Sequence, residues 1–155
     1  MVQAHGRRYG ASDVDFDGNS VLQMDIAGAY SERAHCRQWN RVYSLQDGCM
    51  SITDTYAIDC RMAPDVENFL TCGKTYLPGE FCPANGSSVK KGEVVVVSED
   101  KIVVMSYPSI LTPSVVESKI DDEKMAWERL QRISFTSSST APLKGKYKFT
   151  IRQLR

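Results

Sequence analysis

Two alternating segments meet across Asp47-Gly48, and this pair constrains the fold more than anything else in the chain. Over residues 37–45, Arg37, Trp39, Arg41, Tyr43 and Leu45 fall on one face, and Gln38, Asn40, Val42 and Ser44 on the other. Side chains alternate across a strand, so a period of two is the mark of β structure. Asp-Gly is a preferred two-residue hairpin turn because it accepts the positive φ angles that the turn needs. Met50–Ile58 is then the returning strand. A lone hairpin is marginal in water, so the pair must bury a face against further strands.

Those strands are legible on both sides. Val21–Ile26 places Leu22, Met24 and Ile26 on one face, with Gln23 and Asp25 on the other. Glu67–Cys72 reads as a short strand, and residues 73–91 as a loop broken by Pro78-Gly79, Pro83 and Asn85-Gly86. Glu93–Val97, a turn at Ser98-Glu99-Asp100 and Lys101–Tyr107 form a second hairpin. The unbroken run Val94–Val97 predicts a central strand covered on both faces. Pro108–Pro113 reads as a connector, Ser114–Lys119 as a strand, Asp121–Glu128 as a polar turn or a single helical turn and Leu130–Thr136 as a weakly alternating strand. After a loop at Ser137–Pro142, Lys146–Arg152 alternates cleanly, with Tyr147, Phe149 and Ile151 inward. No segment sustains the i, i+3, i+4, i+7 pattern of a long helix. About ten short strands at this spacing predict an all-β fold, an antiparallel β-sandwich, with residues 1–155 as one domain.

Composition narrows the function classes. Lys plus Arg and Asp plus Glu are both 19, so the formal net charge is zero. A general nucleic-acid binder carries a basic excess to replace counterions, so no nucleic-acid partner is expected. No apolar run is long enough to span a bilayer, so no membrane insertion is expected. No charged-then-apolar leader opens the chain, as expected of an intracellular chain or of a fragment whose leader lies elsewhere, and Met1 leading directly into structured sequence favours a fragment or a trimmed chain. The five cysteines, Cys36, Cys49, Cys60, Cys72 and Cys82, form no CxxC and match no zinc spacing. They read as free, small apolar residues, with a Cys72–Cys82 bridge as the alternative in an exported protein.

The candidate chemistry is sparse. There is no phosphate-binding glycine loop, no GxSxG and no HExxH. His5 and His35 are the two histidines, each read as a surface or packing residue ahead of a catalytic one. Tyr30 follows the small residues Ala27, Gly28 and Ala29. It either closes the end of the core, or projects its hydroxyl past the sheet edge, where Arg33, Arg37 or Arg41 would favour the phenolate for acid–base work. Trp39 and Trp127 are core residues or sugar-stacking platforms. Arg37 and Arg41 are forks for a carboxylate or sulfate, or partners of Asp54 and Asp59 across the hairpin.

MDIAGAY (24–30), QWNRVYSL (38–45) and ITDTYAI (52–58) resemble the C-terminal β-domain of heparinase II/III-like polysaccharide lyases. FLTCGKTYLPGE, GEVVVVSEDKIVVMSY, KMAWERLQRISF and LKGKYKFTI resemble that domain's later strands in the same order, so the likeness covers most of residues 9–152. The resemblance implies a β-sandwich packed against a helical toroid of the same full-length chain, the toroid holding much of the cleft. The implied reaction is β-elimination at a uronic acid: a base removes the C5 proton, an acid protonates the departing glycosidic oxygen, and the carboxylate is neutralised. Tyr30 matches the Tyr of the family's AY motif and is the candidate catalytic residue. Arg37, Trp39 and Arg41 are the candidate substrate-binding residues for an acidic polysaccharide. The family's β-domain His lies in an HN motif upstream of the segment that Gln3, Gly6, Tyr9 and Ala11 resemble, so its role does not pass to His5. Asp13 matches a metal-binding Asp of some relatives only loosely and lacks partners, so no metal and no cofactor are expected. The resemblance further implies a bacterial, periplasmic or secreted full-length protein of which this chain is the C-terminal fragment, inactive alone. The alternatives are a stand-alone carbohydrate-binding module, or a purely structural domain.

Overall fold

The computed structural model describes residues 11–15, 20–30, 32–99, 101–118 and 130–154. Among them thirteen strands follow in order: β1 (Ala11–Asp15), β2 (Ser20–Asp25), β3 (Cys36–Gln46), β4 (Cys49–Ile58), β5 (Val66–Thr71), β6 (Lys74–Tyr76), β7 (Phe81–Cys82), β8 (Ser87–Ser88), β9 (Glu93–Ser98), β10 (Lys101–Ser106), β11 (Leu111–Ser118), β12 (Leu130–Ser137) and β13 (Lys144–Leu154). The described residues contain no α-helix, only two 3-10 turns at Ala27–Ala29 and Glu32–Ala34. The fold is all-β with antiparallel sheets, consistent with the expected sandwich. Contacts divide the chain into two compact units, residues 1–64 with 139–150, and 65–138 with 151–155. His5, Trp127 and the polar turn expected at Asp121–Glu128 lie outside the described residues.

In the first unit the strand order is β1-β2-β3-β4-β13. Asp47 and Gly48 both have positive φ (51° and 72°), so β3 and β4 are joined by the tight turn that Asp-Gly predicts. The pairing runs from Gln46↔Cys49 down to Cys36↔Ile58, with a register shift between Cys36 and Gln38. That bulge breaks the alternation that would have kept Arg37 on the face of Trp39. Along β2, Leu22 and Met24 are half-buried while Val21, Gln23 and Asp25 are exposed, as the alternation requires. In β13, Tyr147 and Phe149 are buried and Lys146 and Lys148 exposed. Gly145 is needed beside them: a Cβ there would lie 2.7 Å from the Tyr56 hydroxyl oxygen.

In the second unit β9 lies between β10 and β6, and a three-stranded sheet has the order β11-β12-β5. Val94, Val95 and Val96 are all buried, so β9 is covered on both faces, as its unbroken valine run predicts. Cys82, Val89, Val95 and Val104 form one buried cluster, with Leu154 at the end of β13 packed against it. Residues of β12 alternate strictly, Gln131, Ile133, Phe135 and Ser137 being buried. The buried Gln131 has a clear reason: its Oε1 accepts the backbone N–H of Thr75 at 2.8 Å. Without that bond a donor of β6 would be left unpaired inside the unit.

Three expectations are corrected here. Residues 73–91 are not all loop, since β6 pairs Lys74–Tyr76 with Val95–Val97 and β7 pairs with β8. β11 starts at Leu111, ahead of the expected Ser114, and carries Pro113 within it. Proline is tolerated there because β11 is an edge strand, where a missing N–H can face away from the ladder. All five cysteines are free, and only Cys82 is buried, so there is no Cys72–Cys82 bridge and Cys72 is exposed rather than packed.

Candidate functional site

The candidate site residues Tyr30, Arg37, Trp39 and Arg41 lie in the first unit, on β3 and the turn before it. Asp25 Oδ1 accepts the N–H of Ala27 at 2.9 Å and starts the 3-10 turn that follows β2. The turn closes when the N–H of Tyr30 bonds to the Ala27 carbonyl at 3.2 Å, and the chain leaves it extended. Small residues at 27–29 permit this tight geometry, and it carries Tyr30 back over β3. The half-buried Tyr30 ring lies 5.5 Å from Trp39, centre to centre.

Trp39 continues the row. It sits directly opposite Tyr56 in the β3–β4 pairing, and their rings stack at 5.3 Å. Tyr56 in turn stacks on Tyr147 of β13 at 4.7 Å, and its hydroxyl donates to the Pro142 carbonyl at 3.2 Å. Each such aromatic contact adds about 0.5–1.5 kcal/mol beyond area burial. Trp39 is only 5% exposed, so its ring is core and not a platform open to a sugar. Of the two readings of Trp39 the structure takes the core one, against its expected role as a substrate-binding residue. Tyr30 packs at one end of the row, as the core-closing reading of that residue requires. The indole Nε1 of Trp39 is buried without a hydrogen-bond partner among the described residues.

The two arginines meet aspartates across the hairpin. Arg41 lies opposite Asp54, and its Nε and Nη2 donate to the two carboxylate oxygens at 2.7 and 2.6 Å. The Asp54 side chain is fully buried and that of Arg41 is 16% exposed. This planar, two-bond fork is occupied by the protein's own carboxylate. Arg37 pairs with Asp59, with both side chains well exposed. Such a surface pair contributes little to stability. His35, in the left-handed region at φ 50°, is exposed, and its carbonyl accepts the N–H of Asp59 at 2.9 Å. A residue the sequence did not flag, Arg61, donates to the carbonyls of Ala141 and Pro142 at 3.2 and 2.8 Å, holding the segment that enters β13.

Tyr30 and Trp39 are thus brought together, Arg41 stands two positions along the same strand face, and Arg37 is set apart by the bulge. A group of His, Cys, Asp and Glu able to hold a metal is absent among the described residues. A β-elimination site needs a base, an acid and a carboxylate-neutralising group within hydrogen-bond reach of one sugar. The aromatic row supplies the phenols of Tyr30, Tyr56 and Tyr147, and Arg37 and Arg41 already carry carboxylate partners.

Comparisons with known proteins give a fold likeness. The chain matches heparan sulfate lyase HepC from Pedobacter heparinus with a TM-score of 0.51 and 8% identity, over 94% of this chain and 22% of that one. It also matches a protein of Escherichia coli K12, provisionally named an aldose 1-epimerase, with a TM-score of 0.52 and 11% identity, over 96% of this chain and 69% of that one. The chain therefore spans less than a quarter of the lyase's length. No protein-family description matches the sequence, and no curated protein sequence does. At these identities the likeness is one of fold.

Proposed function

We propose that this chain is the β-sandwich domain of a polysaccharide lyase of the heparinase II/III-like kind, acting on uronic-acid glycans by β-elimination, and that it is catalytically incomplete alone. The observation that carries this reading is the pairing of a fold matched over 94% of the chain to a heparan sulfate lyase with an arginine–aromatic cluster whose members are spent on each other. Tyr30 is the residue to which this reading gives the chemistry. It stands at the end of the aromatic row, where a helical domain of the same polypeptide would bring the missing base and carboxylate neutraliser. Trp39, Arg41 and Asp54 then act as the frame that holds Tyr30, and Arg37 at the exposed rim meets the acidic polysaccharide. The natural protein works in the periplasm or outside the cell, where such glycans are found, and needs no cofactor.

An antibody against this chain tests the proposal. The natural polypeptide that it captures is expected to be several times larger than 17.3 kDa and to release unsaturated uronate products from an acidic glycan. Capture of a 17.3-kDa species, or of a large one that releases no such product from any uronate glycan, would count against it.

A further inference from the structure

The second unit holds an open groove of about 650 Å³, lined by Leu77, Pro78, Lys91, Gly92, Tyr107, Ser109, Leu111, Thr112 and Pro113. Its lining comes from the segment after β6, the turn before β9, the connector from β10 into β11 and the first residues of β11. Gly92 has φ +84°, a conformation that favours glycine, and its carbonyl accepts the N–H of Tyr107 at 3.0 Å. The Tyr107 ring is held against Phe135 with centres 5.0 Å apart. Burial pushes the Tyr107 phenol above its ordinary pKa, opposed by a hydrogen bond from the backbone of Gly92. The phenol therefore stays neutral through the physiological range.

The chemistry of this lining is specific in kind. Apolar walls come from Leu77, Leu111 and two proline rings, and hydroxyls from Ser109, Thr112 and Tyr107. Among the described residues Lys91 is the one charged side chain of the lining, and no acidic side chain contributes. A small anion with both hydroxyls and C–H faces matches all three elements, and a uronate sugar is such a molecule. An exposed lysine beside a concave apolar surface attracts the carboxylate, and the ring faces of the sugar pack on the apolar wall.

We infer that this groove is a second glycan subsite, one that takes a single uronate residue with Lys91 facing its carboxylate. This rests on the reading of the chain as part of a protein that handles uronic-acid glycans. On that reading the groove binds polymer away from the Tyr30 cluster and does no chemistry itself.

The test uses two disaccharides that differ only at the carboxylate, cellobiouronic acid and cellobiose, titrated into the whole chain at low salt and followed by amide NMR shifts. Cellobiouronic acid is expected to bind saturably, with shifts at Gly92, Ser109 and Thr112, and about three- to fivefold tighter than cellobiose. Lys91→Met is expected to erase that difference without lowering the melting temperature, while Lys90→Met, at an exposed neighbour outside the lining, leaves it intact. Absence of saturable shifts in these residues overturns the inference, as does a preference for the acid that survives Lys91→Met. Either result leaves the lyase reading standing if the natural polypeptide cleaves uronate glycans. A groove that binds while the natural polypeptide cleaves none would support the subsite and reject the lyase.

Discussion

Replacing Arg41 by Met isolates what the fork on Asp54 does. Both Asp54 oxygens are bonded to Arg41, at 2.7 and 2.6 Å, and the carboxylate is fully buried. The variant keeps most of the side-chain bulk but leaves a buried charge without its cation. Severing a buried pair in this way costs about 3–5 kcal/mol. Arg41 is 16% exposed, so water reaches one edge of the site and the loss belongs at the low end, about 3 kcal/mol. For a chain of this size, about 1 kcal/mol corresponds to roughly 2–4 °C, so the melting temperature should fall by about 6–12 °C. Urea and thermal unfolding of Arg41→Met, Asp54→Leu and the double variant measure the terms separately. Replacing both partners by apolar residues is far cheaper than removing one, so the double variant should recover most of the loss, with a coupling of at least about 1.5 kcal/mol. An Arg41→Met protein within about 1 kcal/mol of the parent would refute the reasoning. It would return Arg41 to the set of groups free to bind a substrate.

Other expectations follow from the same contacts. Trp39→Ala should cost about 3–5 kcal/mol in urea unfolding, because the ring is core, and a stability loss below about 1 kcal/mol would return it to the surface. Gly73→Ala should cost about 1–3 kcal/mol, since a Cβ there would sit 2.7 Å from both the Val96 Cγ1 and the Val97 carbonyl oxygen, and unchanged stability would contradict that close approach. Tyr107 has a folded pKa above its unfolded value of 10.0, so above pH 10 the unfolded chain loses this proton first. That contribution is complete below pH 10 and is lost as pH rises through the folded value, and Tyr107→Phe should flatten the alkaline fall in stability. An unfolding free energy with the same alkaline slope in the variant would assign that slope elsewhere.

The parts of the fold that could be read ahead were those with local signals. Asp47-Gly48 announced its turn, the valine run announced a strand covered on both sides, and the alternation from Tyr147 to Phe149 announced its inward face. β6 is not legible in the sequence because three residues between turn-forming stretches carry no measurable period, and Gln131, the partner that secures it, lies far along the chain. The start of β11 is hidden in the sequence because Pro113 reads as a breaker unless the strand is an edge. The arginine–aspartate pairs were open alternatives in the sequence, since the same residues serve a substrate or each other, and only the cross-strand register decides. Trp39 shows the limit most clearly: alternation gives its face, but not whether that face is covered. The groove leaves no trace in the sequence, because its lining comes from separated connections and the start of β11.

The most direct test of the central claim is an assay of this chain by itself on heparan sulfate and other uronate-containing glycans, following the absorbance of unsaturated products. The account predicts no product, because the described residues gather no base, acid and carboxylate neutraliser around one sugar, and Arg37 and Arg41 are paired with Asp59 and Asp54. Sustained product release by the purified chain, abolished by Tyr30→Phe, would contradict it by showing a complete acid–base site within these 155 residues.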